Sequence, residues 1–362
     1  MQGIVVTGIG VVSAAGLGTE AFWEACVQGT PPGGESVRLP DLPLDPFTAG
    51  VGMRRMERFS KLVLAAGSLA LADADLADGG REVVPRDRIG SVVTTVYGPI
   101  NVTVKYLDEL IRLGPDQVSP IYFQQTVMNV ASGQLSIKFQ LQGVSSTLVG
   151  SSSVAYAVDL LRFNRADVVL AIGVEELCEQ VLHAYRHAGL LTHMALGEGC
   201  GVLVLERAEH AARRGARVYG EIVDYATYAD RLMNRHVGVL EAGGESALAL
   251  TMGRWTAEGQ VPAAGVGLVS RLGNGAPAVE EAERELVERF YPGAAALAVK
   301  RTFGETLGAA EVFSLIGALL SLQREAVPVG GGQVTPLRGS HAVVNSLFVG
   351  GSVNSWLLRR AG

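Results

Sequence analysis

The sequence predicts an α/β protein built from two pseudo-symmetric halves, and three observations carry that class. Near-continuous apolar runs such as Ile4-Val5-Val6-Thr7-Gly8 and Ala166-Asp167-Val168-Val169-Leu170-Ala171-Ile172-Gly173 read as strands buried on both faces. Helical patterns separate these runs. The order of units also repeats at half-chain spacing, which argues for two related halves rather than a short-period solenoid. The join falls near residue 210, giving halves at 1–210 and 211–362 with no low-complexity linker.

In chain order, Ile4 to Ser13 is a β-branched strand with a glycine turn. Its Gly8-x-Gly10-x-x-Ser13 lacks the third glycine of a dinucleotide fingerprint, and no acidic residue closes a second strand about 20 residues on. Helices follow at about 18–28 and 58–78, then a strand at Ile89 to Thr95. Asn101 to Leu113 places Val102, Tyr106, Leu110 and Leu113 on one helical stripe, read most simply as core-facing. A helix at about 123–138 leads to Gly143 through Ser153, a short strand and a small-residue corner. The corner opens a helix, where backbone N–H groups and the helix dipole favour negative charge. After the strand at Gly199 to Glu206, His210 to Arg214 reads as an exposed basic helix. Ala263 to Ser270 then repeats Pro85 to Gly98, and Ala296 to Lys300 with Gly308-Ala309-Ala310 repeats the strand, corner and helix. The last hairpin, Ala342 to Leu358, echoes 199–206.

Composition narrows the function. With 362 residues, 48% hydrophobic content and 46 glycines, the chain can bury a large core. A net charge of −6 argues against nucleic acid as partner. The run Arg54-Arg55-Met56-Glu57-Arg58 reads as a solvated helix face, docking of an acidic carrier being the sharper alternative. Cys26, Cys178 and Cys200 have no metal-ligand spacing and read as small buried apolar groups in a reducing compartment. The N-terminus lacks a basic n-region and no apolar run reaches spanning length, so the expectation is a soluble, cytoplasmic protein with no membrane partner.

Motifs along the whole chain resemble β-ketoacyl synthases. They include Val6-Thr7-Gly8-Ile9-Gly10 with Phe22-Trp23-Glu24, and Gly114-Pro115-x-x-Val118-Ser119-Pro120 with Asn129. Ala166-Asp167-Val168 with Gly173 and Glu175, and Gly197-Glu198-Gly199, follow in order. Lys300-x-x-x-Gly304-x-x-x-Gly308-Ala309-Ala310 and Asn345-Ser346 with Gly350-Gly351 complete the set. The resemblance implies the five-layered αβαβα thiolase fold of two related halves.

That family's chemistry uses a cysteine that carries the acyl chain as a thioester, and two histidines that stabilise a developing enolate. This chain departs at all three positions. Because the corner segment is short, three registers stay open for the cysteine: Ser152, Gly150 or Thr147, none of them cysteine. The first histidine falls on Leu272, upstream of Glu280 and Glu283, and the second on Glu305; the family lysine is retained as Lys300. Leucine has no donor, and an ionised carboxylate only accepts. In the gate loop, Phe348-Val349-Gly350-Gly351 replaces Gly-Phe-Gly-Gly, and the loops around 187–197 and 328–341 look trimmed. Ser152 alone reads as a turn serine, and Lys300 with Glu305 as a buried ion pair. The six histidines, at 183, 187, 193, 210, 236 and 341, read as loop or surface residues.

The resemblance is strongest to the chain-length-factor subunits of bacterial type II polyketide synthases. It implies a catalytically silent chain paired with an active ketosynthase subunit as a heterodimer, meeting acyl carrier protein through the complex, with no metal or nucleotide cofactor. It further implies that the helix at Asn101 to Leu113 crosses the interface, with Val102, Thr103, Tyr106 and Leu107 closing the acyl tunnel. Two other readings stand beside it: an acyltransferase or hydrolase with Ser152 as nucleophile, and a purely structural homologue that only stabilises its partner.

Overall fold

The computed structural model describes residues 3–49, 56–76, 84–229, 247–273, 275 and 277–362. Ten strands form one hydrogen-bonded path. Those of the first half are β1 (Ile4–Ser13), β2 (Ile89–Thr95), β3 (Ser145–Val149), β4 (Val168–Glu175) and β5 (Gly199–Arg207). The second half supplies β6 (Gly220–Ala229), β7 (Val266–Ser270), β8 (Ala295–Leu297), β9 (His341–Leu347) and β10 (Ser352–Arg360). Their order is β8-β7-β9-β10-β6-β1-β5-β4-β2-β3, with Gly16–Leu17 pairing off β1.

Counted within each half, this is the same order twice: third, second, fourth, fifth, first. The pairing directions repeat as well. In each half the second strand runs parallel to the third and fourth, and the fifth runs antiparallel to both its neighbours. The halves meet where β1 and β6 pair antiparallel, Ile4 opposite Ile222 and Val6 opposite Gly220.

Helices fill the layers. From the first half come α1 (Thr19–Gln28), α2 (Arg58–Asp73), α3 (Ile100–Leu113), α4 (Pro120–Thr126), α5 (Val130–Phe139), α6 (Ser153–Arg162) and α7 (Glu179–His187). The second half adds α8 (Ala247–Ala257), α9 (Pro277–Phe290) and α10 (Ala310–Arg324). Taken half by half the strands make two five-stranded sheets, and the apolar faces of α6 and α10 pack between them with Phe22, Phe303 and Trp356. α2 and α5 cover the outer face of the first sheet, and α8 the outer face of the second. Helix, sheet, helices, sheet, helix: these are the five expected layers. The stretch Leu307–Arg324 has membrane-like length and hydropathy, but 89% of it is buried inside the protein, as the middle layer requires. Gly10 shows how closely α2 lies on β1: an added Cβ would sit 1.9 Å from Ala66 O.

Several sequence expectations need correction. The helix expected over 123–138 is two helices, α4 and α5, broken at Val127–Asn129. α2 stops at Asp73 rather than 78, with Ala74 as its C-cap. The stripe on α3 is not core-facing, because only Val102 is buried and Leu113 is 59% exposed. His210 and Arg214 are not on an exposed basic face. Glu206 is fully buried and draws both in, His210 Nδ1 lying 2.6 Å away and Arg214 Nε donating at 2.9 Å, since a lone buried carboxylate would be costly. Arg58 likewise binds Glu198 through both guanidinium ends, at 2.6 and 2.7 Å, instead of facing water. Arg54, Arg55 and His236 lie outside the described residues. All three cysteines are buried and free, as expected.

Candidate functional site

The corner between β3 and α6 turns on Gly150, whose φ of 58° lies in the left-handed region. Its N–H donates to Thr95 O at 3.0 Å, extending the β2–β3 ladder by one residue. A Cβ there would meet only Val349 O, at 3.3 Å. Two residues on, Ser152 is buried and caps α6: its Oγ accepts from Ala155 N at 3.0 Å. The same hydroxyl donates to the Glu311 carboxylate. Thr147 lies mid-strand, its Oγ1 3.4 Å from Ser132 Oγ. Of the three positions open to a nucleophile, the one at the bend therefore has no side chain. The hydroxyl of Ser152 is committed on both sides.

Glu311 explains that commitment. It stands on α10 between the sheets and accepts from Ser346 Oγ at 2.8 Å and from Asn354 Nδ2 and Trp356 Nε1 at 2.9 Å, as well as from Ser152. Burial raises its pKa while these donors oppose the rise. Ser152 is thus one of four donors holding a buried carboxylate, and its oxygen points into the protein.

Leu272 follows β7 and is wholly buried among apolar neighbours that include Met252, Val269 and Val279. Its N–H donates to both oxygens of Glu283, at 2.9 and 3.0 Å, and Asn345 Nδ2 donates to the same carboxylate at 2.9 Å. Burial raises the Glu283 pKa too. Lys300 Nζ lies 2.6 Å from Glu305 Oε2 with both side chains nearly buried, the ion pair expected. Glu305 Oε1 accepts from Leu307 N at 2.9 Å, and its backbone bridges to the 195–197 segment. Lys300, Glu305, Arg301, His193 and Gly273 line one open cleft. In the gate loop Phe348 is buried and Val349 is 48% exposed, above two glycines with φ of 115° and 87°.

The outer face around the corner is apolar. Among the described residues 15 large hydrophobic side chains are exposed, and ten of them fall between residues 107 and 163. Leu107, Ile111 and Leu113 lie on α3, Ile121 and Phe123 on α4, Ile137 on α5, Tyr156 on α6. Of the elements that carry them, α5 packs on β3, which stands at one end of the strand order. Of the tunnel candidates, Val102 is buried in this chain's own body, Thr103 and Tyr106 are half-buried, and Leu107 is exposed. Tyr106 packs on Phe123 with ring centroids 5.8 Å apart.

The β-ketoacyl synthase N-terminal domain model matches residues 40–211, and the C-terminal domain model residues 219–330. A tetracenomycin polyketide synthase ketoacyl synthase beta subunit from Streptomyces glaucescens is 30% identical over 99% of this chain and 98% of its own length. The chain belongs to the β-ketoacyl synthase family. A 3-oxoacyl-[acyl-carrier-protein] synthase 2 of Rhizobium meliloti is 27% identical over 91% of this chain and 88% of its own. Among solved structures, the ishigamide ketosynthase/chain length factor aligns at TM-score 0.87 and 21% identity, covering 100% of both chains. A type II polyketide synthase ketosynthase in complex with its acyl-carrier protein aligns at 0.82 and 20%, again over 100% of both. At these identities the two structures establish the thiolase fold of the ketosynthases.

Sequence patterns did not single out Glu283 or Glu311 as organisers of the site. The signal was there for Glu311: an acid inside Gly308-Ala309-Ala310-Glu311-Val312-Phe313, where every neighbour is apolar or small. An acid in such a run must be buried, and then must be met by donors.

Proposed function

We propose that this chain is the non-condensing, chain-length-factor member of a ketosynthase pair in a type II polyketide synthase. It docks on an active ketosynthase subunit through the face around β3, shapes the far end of the acyl tunnel, and meets acyl carrier protein through the complex. The observation that carries this reading is the concentration of exposed apolar side chains between residues 107 and 163, a stretch that includes β3 at one end of the sheet. Soluble proteins seldom leave such a patch or such an edge uncovered. The similarity to a ketoacyl synthase beta subunit supports the same assignment.

The side chains present support silence at the corner. A condensing site needs a thiolate, and donors aimed at the enolate. Gly150 supplies no nucleophile, Leu272 has no donor, and Glu305 is an acceptor already matched to Lys300. Glu311 accepts the Ser152 proton as a base would, but the hydroxyl is buried and its oxygen caps α6, which counts against a serine hydrolase or acyltransferase. Phe348 and Val349 then serve as a static lip over the corner.

Co-expression with a type II ketosynthase, followed by light scattering, tests the reading. A one-to-one complex is expected, with condensation only in the complex. A stable monomer with no affinity for ketosynthases would refute the pairing. Turnover by the isolated chain on acyl- and malonyl-carrier protein, abolished in Ser152→Ala, would establish the serine enzyme instead.

A further inference from the structure

Helix α3 is tied to the body at its root by carboxylates, beside a limited packing of Ile100 and Val104 against the cluster around Leu177 and Leu182. Of its 14 residues only Val102 is buried. A helix of this length with a single fully buried side chain is marginal by itself. Its root, by contrast, is tied down bond by bond. Glu175, at the end of β4 and wholly buried, accepts from Val96 N at 2.7 Å and Gly308 N at 3.1 Å through Oε2. Its Oε1 accepts from Tyr97 N at 2.9 Å and Thr95 Oγ1 at 3.1 Å. Glu176 Oε1 then takes the N–H of Asn101, in the first turn of α3, at 3.0 Å. Asn101 Nδ2 adds a second strut to Leu177 O at 2.9 Å. A negative charge at this helix end also suits the dipole.

The same frame includes Glu305. The consecutive amides of Leu307 and Gly308 donate to Glu305 and Glu175 respectively. A turn that in the resembling enzymes carries a catalytic histidine here becomes part of the base of α3.

We propose that Glu175 and Glu176 are the positioning residues of α3. They fix where the helix leaves the body, and so how far its inward side chains reach into the space shared with the partner. The consequence for product length rests on the pairing reading above; the anchoring of α3 does not.

Glu176 offers a clean comparison. Its Oε2 has no hydrogen-bond partner, so Glu176→Gln can keep the acceptor facing Asn101 and lose little, whereas Glu176→Ala removes it. Asn101→Ala removes the other strut at an exposed position and serves if Glu176→Ala folds poorly. Amide hydrogen exchange on the isolated full chain should rise about tenfold or more across 100–113 in Glu176→Ala and in Asn101→Ala, the loss of one hydrogen bond of this kind. Glu176→Gln should exchange like the wild type, and β4 and β5 should be unchanged in all three. Unchanged exchange over 100–113 in both disruptive variants overturns the proposal, as does a rise shared evenly with the core strands. In the complex with an active ketosynthase, Glu176→Ala should broaden the lengths of carrier-bound products and Glu176→Gln should restore them. A wild-type chain that binds no ketosynthase would sink the pairing reading and leave the exchange comparison to decide the anchor.

Discussion

Gly150 concentrates the chemical question at this corner into one residue. Its N–H is already donated to Thr95 O, so it offers no donor to a developing oxyanion. On the proposal that the bend takes the cysteine's place, a thiol there restores one part of three. Gly150→Cys should show no condensation in isolation with acyl- and malonyl-carrier protein. It should also lose about 1–2 kcal/mol of stability in a denaturant melt, the cost of a side chain in the left-handed region. Turnover above background would mean the absent donors are dispensable. Ser152 makes a complementary case. Ser152→Ala removes a helix cap and one donor to buried Glu311, so a loss of about 1–3 kcal/mol is expected with the product of the paired complex unchanged. At this scale the sequence was only partly legible. A shortened segment left Ser152, Gly150 and Thr147 all open, and backbone conformation, which no residue type spells out, separates bend, cap and mid-strand. The Lys300–Glu305 pair could be read directly, because two opposite charges five residues apart in an apolar setting need each other.

Elements buried against the core were legible; elements with an exposed apolar face were not. Ile89–Thr95 emerges as expected because every residue of that strand is buried. α3 carries the same kind of apolar stripe, yet of Val102, Tyr106, Leu110 and Leu113 only Val102 is fully buried and Leu113 is exposed. Periodicity reveals an apolar face but not what covers it. The break between α4 and α5 was invisible for a related reason: Val127, Met128 and Asn129 continue the helical pattern while the backbone at Val127 turns extended. The outward side chains of α3 suit a tunnel wall, which we propose acts by volume. Close-packed walls resist extra methylenes at roughly 1–3 kcal/mol, or about one to two powers of ten in the rate of a further extension. Tyr106→Ala, which also vacates the contact with Phe123, should lengthen the products of the paired complex, and Thr103→Phe should shorten them. Mass spectrometry of carrier-bound products reads this. Reduced yield with unmoved length in both variants would make these residues mere packing. Val102→Ala should instead cost stability, since its side chain is buried in the body.

Across the whole molecule the repeat of strands was the most legible feature, because strands buried on both faces leave apolar runs that survive without any contact information. What the runs could not show is a set of buried and part-buried carboxylates with their donors, and these set the response to pH. Asp167 is held at about 2 against an ordinary 3.8, chiefly by the hydrogen bond from Arg88, with burial opposing and Arg207 adding to it. For Glu206 burial pushes upward, but His210, Arg214 and Thr7 outweigh it and hold the group at about 2. Both folded values are depressed, so their contribution is present above the unfolded pKa and is lost as pH falls towards about 2. Glu175 has the opposite sign. Burial outweighs its four donors and pushes it up to about 7, so the stability linked to its neutral form is full below its ordinary 4.5 and is lost as pH rises through 7. The two limbs leave a maximum near pH 4.5, with a decline of at most about 3 kcal/mol between there and about pH 7. Urea unfolding from about pH 3 to 9 measures both limbs. Glu175→Gln cannot titrate there: it should flatten the decline through neutrality while leaving the acid limb in place. An alkaline limb of undiminished slope in that variant would remove Glu175 as its source.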